Sequence, residues 1–353
     1  SMAAGVARAI GAGHHLAVEA GTGVGKSFAY LVPGILSAVH RKARTVVATY
    51  TISLQEQLIR KDVPFLREHM GVDFRAVLVK GKSNYLCLRR LARTSRFGAD
   101  LLRKDRMREL EAIRRWAETT DDGSLQALPE QPSTDVWAAV NVEDGNCRGR
   151  RCPDYARCFY MRARARMDSA HLLVANHHLL FADLAVRMAG GKILPDYSTV
   201  ILDEAHQAEQ VASEHLGLRL SEYTFEHWMR RLYAPETGKG LLALLRKSEA
   251  ANQVQKLRDE LDVLFPSLRD AGGVDESTTQ ATVREPLGIA TSIPDRIGRI
   301  ADMVRRMAEE LEDDELTSEL TAAARRGGEL RDGLMAWLNQ SLDDHVYWME
   351  IAG

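Results

Sequence analysis

The chain has 353 residues, of which 45% are hydrophobic and 27% charged, and its formal net charge is −2 at pH 7. This length exceeds what one small core needs and predicts two or three folded units. No apolar run is long enough to span a bilayer, and no basic stretch followed by an apolar segment marks a secretory signal. Composition therefore favours a cytoplasmic protein and excludes a membrane-spanning one.

Residues 16–27 predict a phosphate-binding loop. Residues 16–18 are apolar and predict a short buried strand; a glycine-rich turn follows, and a helical pattern begins at Ser27. Glycines let backbone N–H groups turn inward on phosphate oxygens, and the helix N-terminus adds partial positive charge. Ala20 stands where such loops usually have their first glycine. We expect ATP to bind at Gly21, Thr22, Gly23, Val24, Gly25, Lys26 and Ser27, with Lys26 on the β- and γ-phosphates and Ser27 on Mg²⁺.

The next elements predict a parallel α/β sheet. Residues 45–49 form a β-branched strand pattern, which is followed by a helical pattern over 50–58, and further strands are predicted at 74–79, 172–175 and 200–202. Strands separated by helices are typical of a parallel sheet with helices on both faces. The long gap between the strands at 74–79 and 172–175 is an insertion.

The insertion is basic. Residues 80–166 contain nineteen Lys and Arg against twelve Asp and Glu, a net charge of +7 within a nearly neutral chain. Such a block is typical of a polyanion-binding surface, although a solvated arginine-rich surface would look the same on charge alone.

All four cysteines, Cys87, Cys147, Cys152 and Cys158, lie in this insertion. Disulfides are rare in a cytoplasmic protein, so a metal site is the favoured interpretation. The loose spacing fits an iron–sulfur cluster somewhat better than the paired cysteines of a structural zinc site. The alternative is four reduced, buried cysteines that act as small apolar residues.

The strand at 200–202 ends in two adjacent carboxylates, Asp203 and Glu204. Ligands bind at the carboxyl ends of parallel strands. We expect Asp203 to hold Mg²⁺ through water and Glu204 to deprotonate the attacking water, so that Lys26, Asp203 and Glu204 are the catalytic residues. His206 lies farther along the turn and is expected to couple this site to neighbouring structure.

After residue 207 the pattern predicts packed amphipathic helices without strands. Apolar residues recur at helical spacing within 241–264, 297–311 and 330–338, with charged residues between them. Residues 271–282 are predicted to form a mobile loop.

Three features together resemble the iron–sulfur superfamily 2 DNA helicases of the XPD/DinG group: the loop at 20–27, the Asp-Glu-Ala-His run at 203–206, and the four-cysteine insertion between them. Residues 80–87 and 174–180 are similar to segments of bacterial DinG-type helicases in particular. The resemblance covers residues 16–206, whereas the helical stretch after 207 resembles the family's arch domain by position and character alone.

The resemblance implies a RecA-like P-loop NTPase domain from residues 1–79 and 167–207, an inserted Fe–S domain from 80–166, and an all-helical arch domain from 208–345. It also implies a [4Fe-4S] cluster on the four cysteines, together with ATP and Mg²⁺. The expected activity is ATP-dependent 5′→3′ translocation of a monomer on single-stranded or forked DNA, in DNA repair or related metabolism.

The resemblance also suggests DNA contacts. Thr51 and Gln55 lie in the segment that contacts the DNA backbone in relatives. Arg148 is placed to follow phosphates, and Tyr85 and Tyr160 to stack on bases, as would Phe159. The alternative for these aromatic rings is packing around the cluster.

Relatives have a second RecA-like domain after the arch, which carries an arginine finger. We therefore expect this chain to bind ATP weakly and DNA moderately, with little hydrolysis or unwinding. Two other interpretations remain open from the residues: a nucleotide kinase with a metal-bearing lid, and a non-enzymatic DNA-binding module.

Overall fold

The structure is a computed structural model that describes residues 1–21, 23–101, 106–143, 145–188, 190–343 and 345–351. The helices are α1 Met2–Ala12, α2 Lys26–Arg41, α3 Ile52–Gln57, α4 Val63–His69, α5 Leu88–Leu101, α6 Met107–Ala117, α7 Thr134–Val140, α8 Phe159–Asp168, α9 His177–Met188, α10 Ala208–Leu216, α11 Glu222–Leu232, α12 Leu241–Leu244, α13 Ser248–Gly272, α14 Ile293–Glu309 and α15 Asp314–Asn339. The strands are β1 Thr45–Thr49, β2 Ala76–Leu78, β3 Leu172–Asn176, β4 Thr199–Leu202, β5 Gln280–Thr282 and β6 Trp348–Glu350.

The contacts divide the chain into two compact units. The first unit contains residues 1–85 and 155–218, and the second contains residues 86–154 and 219–353. Most of the cysteine-bearing insertion thus packs with the C-terminal helices. Within the described part of the chain, no helix combines the length and apolarity needed to cross a membrane.

The first unit is built on a four-stranded sheet in the order β2-β3-β1-β4. Every pairing in it is parallel, with Thr45 opposite Leu172 on one side and opposite Thr199 on the other. This confirms the predicted parallel α/β sheet. Because the strands are parallel, β1, β3 and β4 end at the same edge, where ligands bind in such sheets.

The side chains on the two faces of the sheet pack into two separate hydrophobic cores. Val47 packs with Leu31 and Ile35 of α2 on one face, whereas Val46 and Ala48 pack on the other face with residues that include Leu180 of α9. Successive side chains of a strand point to opposite faces, so both faces of β1 are covered and all five of its residues are buried.

The predicted strand at 16–18 is wrong. Residues 14–20 form neither helix nor strand, and the side chains of Leu16 and Val18 are 49% and 46% exposed. A strand requires a neighbour for its backbone hydrogen bonds, and the sheet ends at β4, where Val200 and Leu202 are themselves exposed. A three-residue apolar run cannot show whether such a neighbour exists.

The second unit is mainly helical, with a core shared by α11 to α15. Helices α14 and α15 pack along each other, and Trp228 of α11 is buried with its indole N–H donating to the carbonyl oxygen of Ala323 at 2.8 Å. The prediction of helices without strands is wrong at one place, because β5 and β6 pair as an antiparallel ribbon. Residues 271–282 therefore include a short strand as well as a loop. The local sequence did not predict this strand because its pairing partner lies about seventy residues farther along the chain.

Candidate nucleotide-binding site

The glycine loop leads directly into α2. Gly23 and Gly25 have φ angles of 76° and 80°, in the left-handed region that a residue with a Cβ rarely adopts. Gly25 is the N-cap of α2, so Lys26 and Ser27 occupy its first turn, where backbone N–H groups are free to bind an anion. Thr22 lies outside the described residues.

Gly21 and Val24 are exposed beside this turn, Val24 to 66%. The predicted phosphate-binding residues that the structure describes therefore lie together at the surface. Their backbone groups are accessible to a nucleotide.

Asp203 and Glu204 directly follow β4, at the edge where the parallel strands end. The backbone N–H of Asp203 donates to the carbonyl oxygen of Ala48 at 2.9 Å, which extends the pairing of β4 with β1 by one residue. Nζ of Lys26 lies 3.4 Å from Oε1 of Glu204, and both side chains are about one-third exposed. Tertiary structure thus brings the loop and the strand end, 178 residues apart, into direct contact.

Glu204 has a left-handed backbone, with φ 54° and ψ 47°. Non-glycine residues in this conformation are strained and tend to lie at functional sites. The turn leaves Oε2 of Glu204 at 3.6 Å from Nδ1 of His206, whose side chain is 66% exposed. His206 therefore contacts the site through Glu204.

Tyr30 joins the site although the sequence did not single it out. It is buried in α2, and its hydroxyl donates to Oδ2 of Asp203 at 3.1 Å. Burial and the adjacent Asp203 carboxylate raise the pKa of the Tyr30 phenol, so it stays protonated as a donor.

Asp62 is a second residue that sequence reasoning missed. It ends the π-helical turn Leu58–Asp62, is 8% exposed, and lies close enough to the Ser27 hydroxyl for that group to lower its pKa. Burial is the larger effect and raises the pKa of Asp62 overall. No hydrogen-bond donor among the described residues reaches its Oδ2 atom.

His177 follows β3 at the same edge of the sheet. It is fully buried, and its Nε2 lies 3.2 Å from the carbonyl oxygen of Ala48, so Nε2 carries the proton and donates. Burial lowers the pKa of His177 and favours the neutral imidazole. The side chain thus ties the ends of β1 and β3 together beneath the site.

The sequence contains weak signals for two of these three residues, Tyr30 and His177. Tyr30 is one helical turn after Lys26 and Ser27 and so shares their face of α2. His177 directly follows a predicted strand that ends at the ligand-binding edge. Asp62 offers no such signal, because its approach to Ser27 depends on how α3 and α4 pack.

The donor set fits Mg²⁺. The Ser27 hydroxyl and the Asp203 carboxylate are oxygen ligands of the kind Mg²⁺ prefers, and the unpartnered, buried Oδ2 of Asp62 adds an anionic oxygen near Ser27. The residues that would hold the ion are therefore Ser27 and Asp203.

The four cysteines of the predicted metal site differ in their exposure to solvent. All four lie outside any disulfide; Cys147 is exposed and the other three are half-buried. Burial raises the pKa of the Cys87 thiol, and the nearby Cys152 raises it further. Across the described ranges no three His, Cys, Asp or Glu side chains are grouped as metal ligands. Thiols are the ligands that an iron–sulfur cluster requires.

The predicted DNA-contact residues have mixed accessibility. Thr51 is exposed and caps α3, its hydroxyl accepting from the backbone N–H of Leu54 at 3.3 Å, whereas Gln55 is buried. Tyr85 and Tyr160 are buried, with ring centroids 5.9 Å apart, which favours the packing alternative for both rings. Arg148 pairs with the Asp314 carboxylate at 3.5 Å in the second unit.

Residues 61–225 match the DEAD_2 family. The ATP-dependent DNA helicase YoaA of Escherichia coli strain K12 is 37% identical over 222 residues, which are 62% of this chain and 34% of the relative. The ATP-dependent helicase DinG of Mycobacterium tuberculosis is 34% identical over 248 residues, which are 65% of this chain and 37% of the relative.

A solved structure described as truncated XPD aligns with 94% of this chain and 79% of its own, at 14% identity and a TM-score of 0.43. That likeness adds nothing to the assignment. The chain spans about a third of the length of the curated relatives it matches. The family match over residues 61–225 and the two identities together support a fragment of a DinG-type helicase.

Proposed function

We propose that this chain carries the ATP-binding part of a DNA helicase, which hydrolyses ATP to translocate 5′→3′ on single-stranded or forked DNA. The observation that carries the proposal is the 3.4 Å contact between Nζ of Lys26 and Oε1 of Glu204, which joins the phosphate loop to the acidic strand end. The relatives' names, ATP-dependent DNA helicase and ATP-dependent helicase, support the same class of activity.

Each group has a distinct role in this proposal. The N–H groups at the start of α2 bind phosphate oxygens, and the Lys26 ammonium neutralises the β- and γ-phosphates. Ser27 and Asp203 hold Mg²⁺, which supplies positive charge to the same oxygens. Glu204 orients the attacking water and accepts its proton.

Nucleotide binding and single-turnover hydrolysis test these roles. Lys26→Ala should weaken ATP binding by roughly tenfold or more, since it removes a charge-assisted contact to phosphate. Glu204→Gln should keep ATP binding and slow hydrolysis by roughly 10²- to 10⁴-fold, the usual contribution of a general base.

The control is Lys192→Ala, which removes a lysine–carboxylate pair of the same kind, with Nζ of Lys192 at 3.0 Å from Oδ2 of Asp196. This substitution should leave both measurements unchanged. Normal ATP binding by the Lys26→Ala protein would contradict the proposal.

We further propose that the 353-residue chain by itself hydrolyses ATP slowly and does not unwind DNA. The chain spans about a third of its relatives, and the resemblance implies that an arginine finger comes from a second RecA-like domain. Such a finger contributes roughly 10³- to 10⁵-fold to the rate. Rapid DNA-stimulated hydrolysis by this chain would overturn this part of the proposal.

We also propose that Cys87, Cys147, Cys152 and Cys158 hold a [4Fe-4S] cluster. The support is the thiol chemistry of the four cysteines and the resemblance to the iron–sulfur helicases. Anaerobically purified protein should be brown and contain about four irons per chain. Zinc without iron, or no metal, would contradict this prediction.

We also propose a domain division, a cellular role and an oligomeric state for this protein. The division into residues 1–79 and 167–207, 80–166, and 208–345 follows the resemblance, as do DNA repair, the cytoplasm and a monomeric state. Of the suggested DNA contacts, the exposed Thr51 is the most accessible.

A further inference from the structure

We propose that Tyr30 and Asp62 are positioning residues of the nucleotide site, with Tyr30 fixing the Asp203 carboxylate and Asp62 fixing the Ser27 hydroxyl. The inference rests on the proposed function, because it concerns how the residues that hold Mg²⁺ are supported. It assigns a role to two buried side chains that the loop and strand-end motifs do not include.

Tyr30 connects α2 to the end of β4. Its ring is 3% exposed and packs in the core between α2 and the sheet, while its hydroxyl donates to Oδ2 of Asp203 at 3.1 Å. A ring held by core packing has little freedom, so this hydrogen bond restricts the orientation of the carboxylate. One carboxylate oxygen is thereby used, and Oδ1 remains for a metal-bound water.

In the same way, we assign to Asp62 the role of orienting the Ser27 hydroxyl. A hydroxyl that offers a lone pair to a cation must direct its proton elsewhere, and a carboxylate is the strongest neighbouring acceptor. No hydrogen bond joins Ser27 to Asp62 among the described residues, and Oδ2 of Asp62 is buried without a partner, so this oxygen is open to the Ser27 hydroxyl when Ser27 binds a cation. Asp62 is presented by the π-helical turn Leu58–Asp62, a feature that occurs frequently at functional sites.

Stability alone does not account for a carboxylate at position 62. Its Oδ2 is buried without a hydrogen-bond partner among the described residues, and a buried carboxylate oxygen without a partner opposes folding. A second carboxylate, Asp203, contacts Tyr30 close by. A neutral side chain of the same shape would relieve this cost, so the charge is better explained by a cationic ligand.

The experiment measures the affinity of the 353-residue chain for a fluorescent ATP analogue, with Mg²⁺ and with excess EDTA, alongside the melting temperature. The variants are Tyr30→Phe and Asp62→Asn. The matched control is Tyr197→Phe, because the Tyr197 hydroxyl donates to Oδ2 of Asp183 at the same distance of 3.1 Å elsewhere in the first unit.

We expect Mg²⁺ to tighten binding to the unsubstituted protein and to the Tyr197→Phe protein equally. In Tyr30→Phe and Asp62→Asn the Mg²⁺-dependent gain should fall by roughly tenfold, as expected for the loss of one hydrogen bond to a charged group. Asp62→Asn should also melt at the same or a higher temperature, which a purely structural aspartate would not allow.

Two results would overturn the inference while leaving the proposed function intact. One is an unchanged Mg²⁺-dependent gain in both variants; the other is an Asp62→Asn protein that melts earlier but responds normally to Mg²⁺. Failure of the unsubstituted protein to bind the analogue with Mg²⁺ would instead overturn the proposed function itself.

Discussion

At the scale of single residues, the backbone of Glu204 is the most unusual feature of the site. Its left-handed conformation costs a residue with a Cβ about 1–2 kcal/mol. In return, the turn holds the carboxylate within 3.4 Å of the Lys26 ammonium. A strained backbone persists where the surrounding structure holds it in place. Here the pairing of β4 with β1, which extends to Asp203, fixes the residue before Glu204.

Replacing Glu204 by glycine should therefore stabilise the fold while removing the proposed base. We expect Glu204→Gly to raise the free energy of unfolding by about 1 kcal/mol, because glycine adopts this backbone freely and the lost ion pair is partly exposed. Urea unfolding followed by circular dichroism measures the change.

The control for this substitution is Lys42→Gly. Lys42 has φ 50° at the C-cap of α2 in the same unit, so it should give a similar gain without affecting the site. A less stable Glu204→Gly protein beside a more stable Lys42→Gly protein would show that the Glu204 backbone is not strained.

At the scale of elements, α15 is tied to the cysteine-bearing insertion by a buried charge network. Glu319 of α15 is 1% exposed and contacts Arg90, Arg93 and Arg231, with Nε of Arg90 at 3.2 Å from its Oε1. Nδ2 of Asn146 donates to the same oxygen at 2.5 Å. These arginines lower the pKa of Glu319 despite its burial, so the carboxylate is ionised.

Removing this carboxylate should destabilise the second unit. Glu319→Gln removes the carboxylate that Arg90, Arg93 and Arg231 share, although Arg90 and Arg231 also contact Glu143, and we expect a loss of about 3–5 kcal/mol. All five tryptophans lie in this unit, so tryptophan fluorescence in urea reports its unfolding. Glu329→Gln is the control, because Glu329 pairs with Arg325 and Arg326 on an exposed part of α15 and should change stability by less than about 1 kcal/mol.

The same network sets a pH dependence. Because the folded pKa of Glu319 is lowered, its stabilisation is complete above the unfolded pKa and is lost as pH falls towards the folded value. The stability difference between the unsubstituted and Glu319→Gln proteins should stay constant from neutral pH down to about 5 and shrink below about 4. A difference that disappears near neutral pH would contradict the assigned ionisation.

At the scale of the whole molecule, charge is distributed unevenly along the chain. The net charge of −2 conceals +7 within residues 80–166. Much of this positive charge is used internally, as in Arg89, Arg90 and Arg93, which are buried and paired with carboxylates of α15. Arg150 and Arg151 are exposed and remain accessible to a polyanion.

Single-stranded DNA binding should therefore depend on salt through the exposed arginines. We expect the double substitution Arg150→Glu and Arg151→Glu to weaken binding and to reduce the slope of log affinity against log salt by about 1.4, for two lost phosphate contacts. Fluorescence anisotropy over a salt series measures both. Arg305→Glu, which alters an exposed arginine of α14 outside the basic block, should leave the slope unchanged; equal slopes in all three proteins would contradict the prediction.

The parts of the molecule that depend on local pattern were predictable from the sequence. Residues 45–49 are rich in β-branched side chains, and β1 spans the same residues. Asp203 and Glu204 directly follow β4, as the strand predicted at 200–202 requires. Glycine spacing, strand-length apolar runs and helical periodicity act over a few residues, so they can be read directly from the chain.

Tertiary structure decided the rest. Residues 16–18 have the composition of a strand but no neighbour to pair with, whereas residues 280–282 and 348–350 pair as a ribbon that no local pattern indicates. The contacts of Tyr30 with Asp203 and of Glu319 with Arg90 join residues 173 and 229 positions apart. The sequence by itself determined the parallel sheet, the glycine turn before α2 and the carboxylates after β4, because these follow from local sterics and hydrogen bonding. Only the tertiary structure determined which buried charges and hydroxyls meet, because that depends on packing between distant segments.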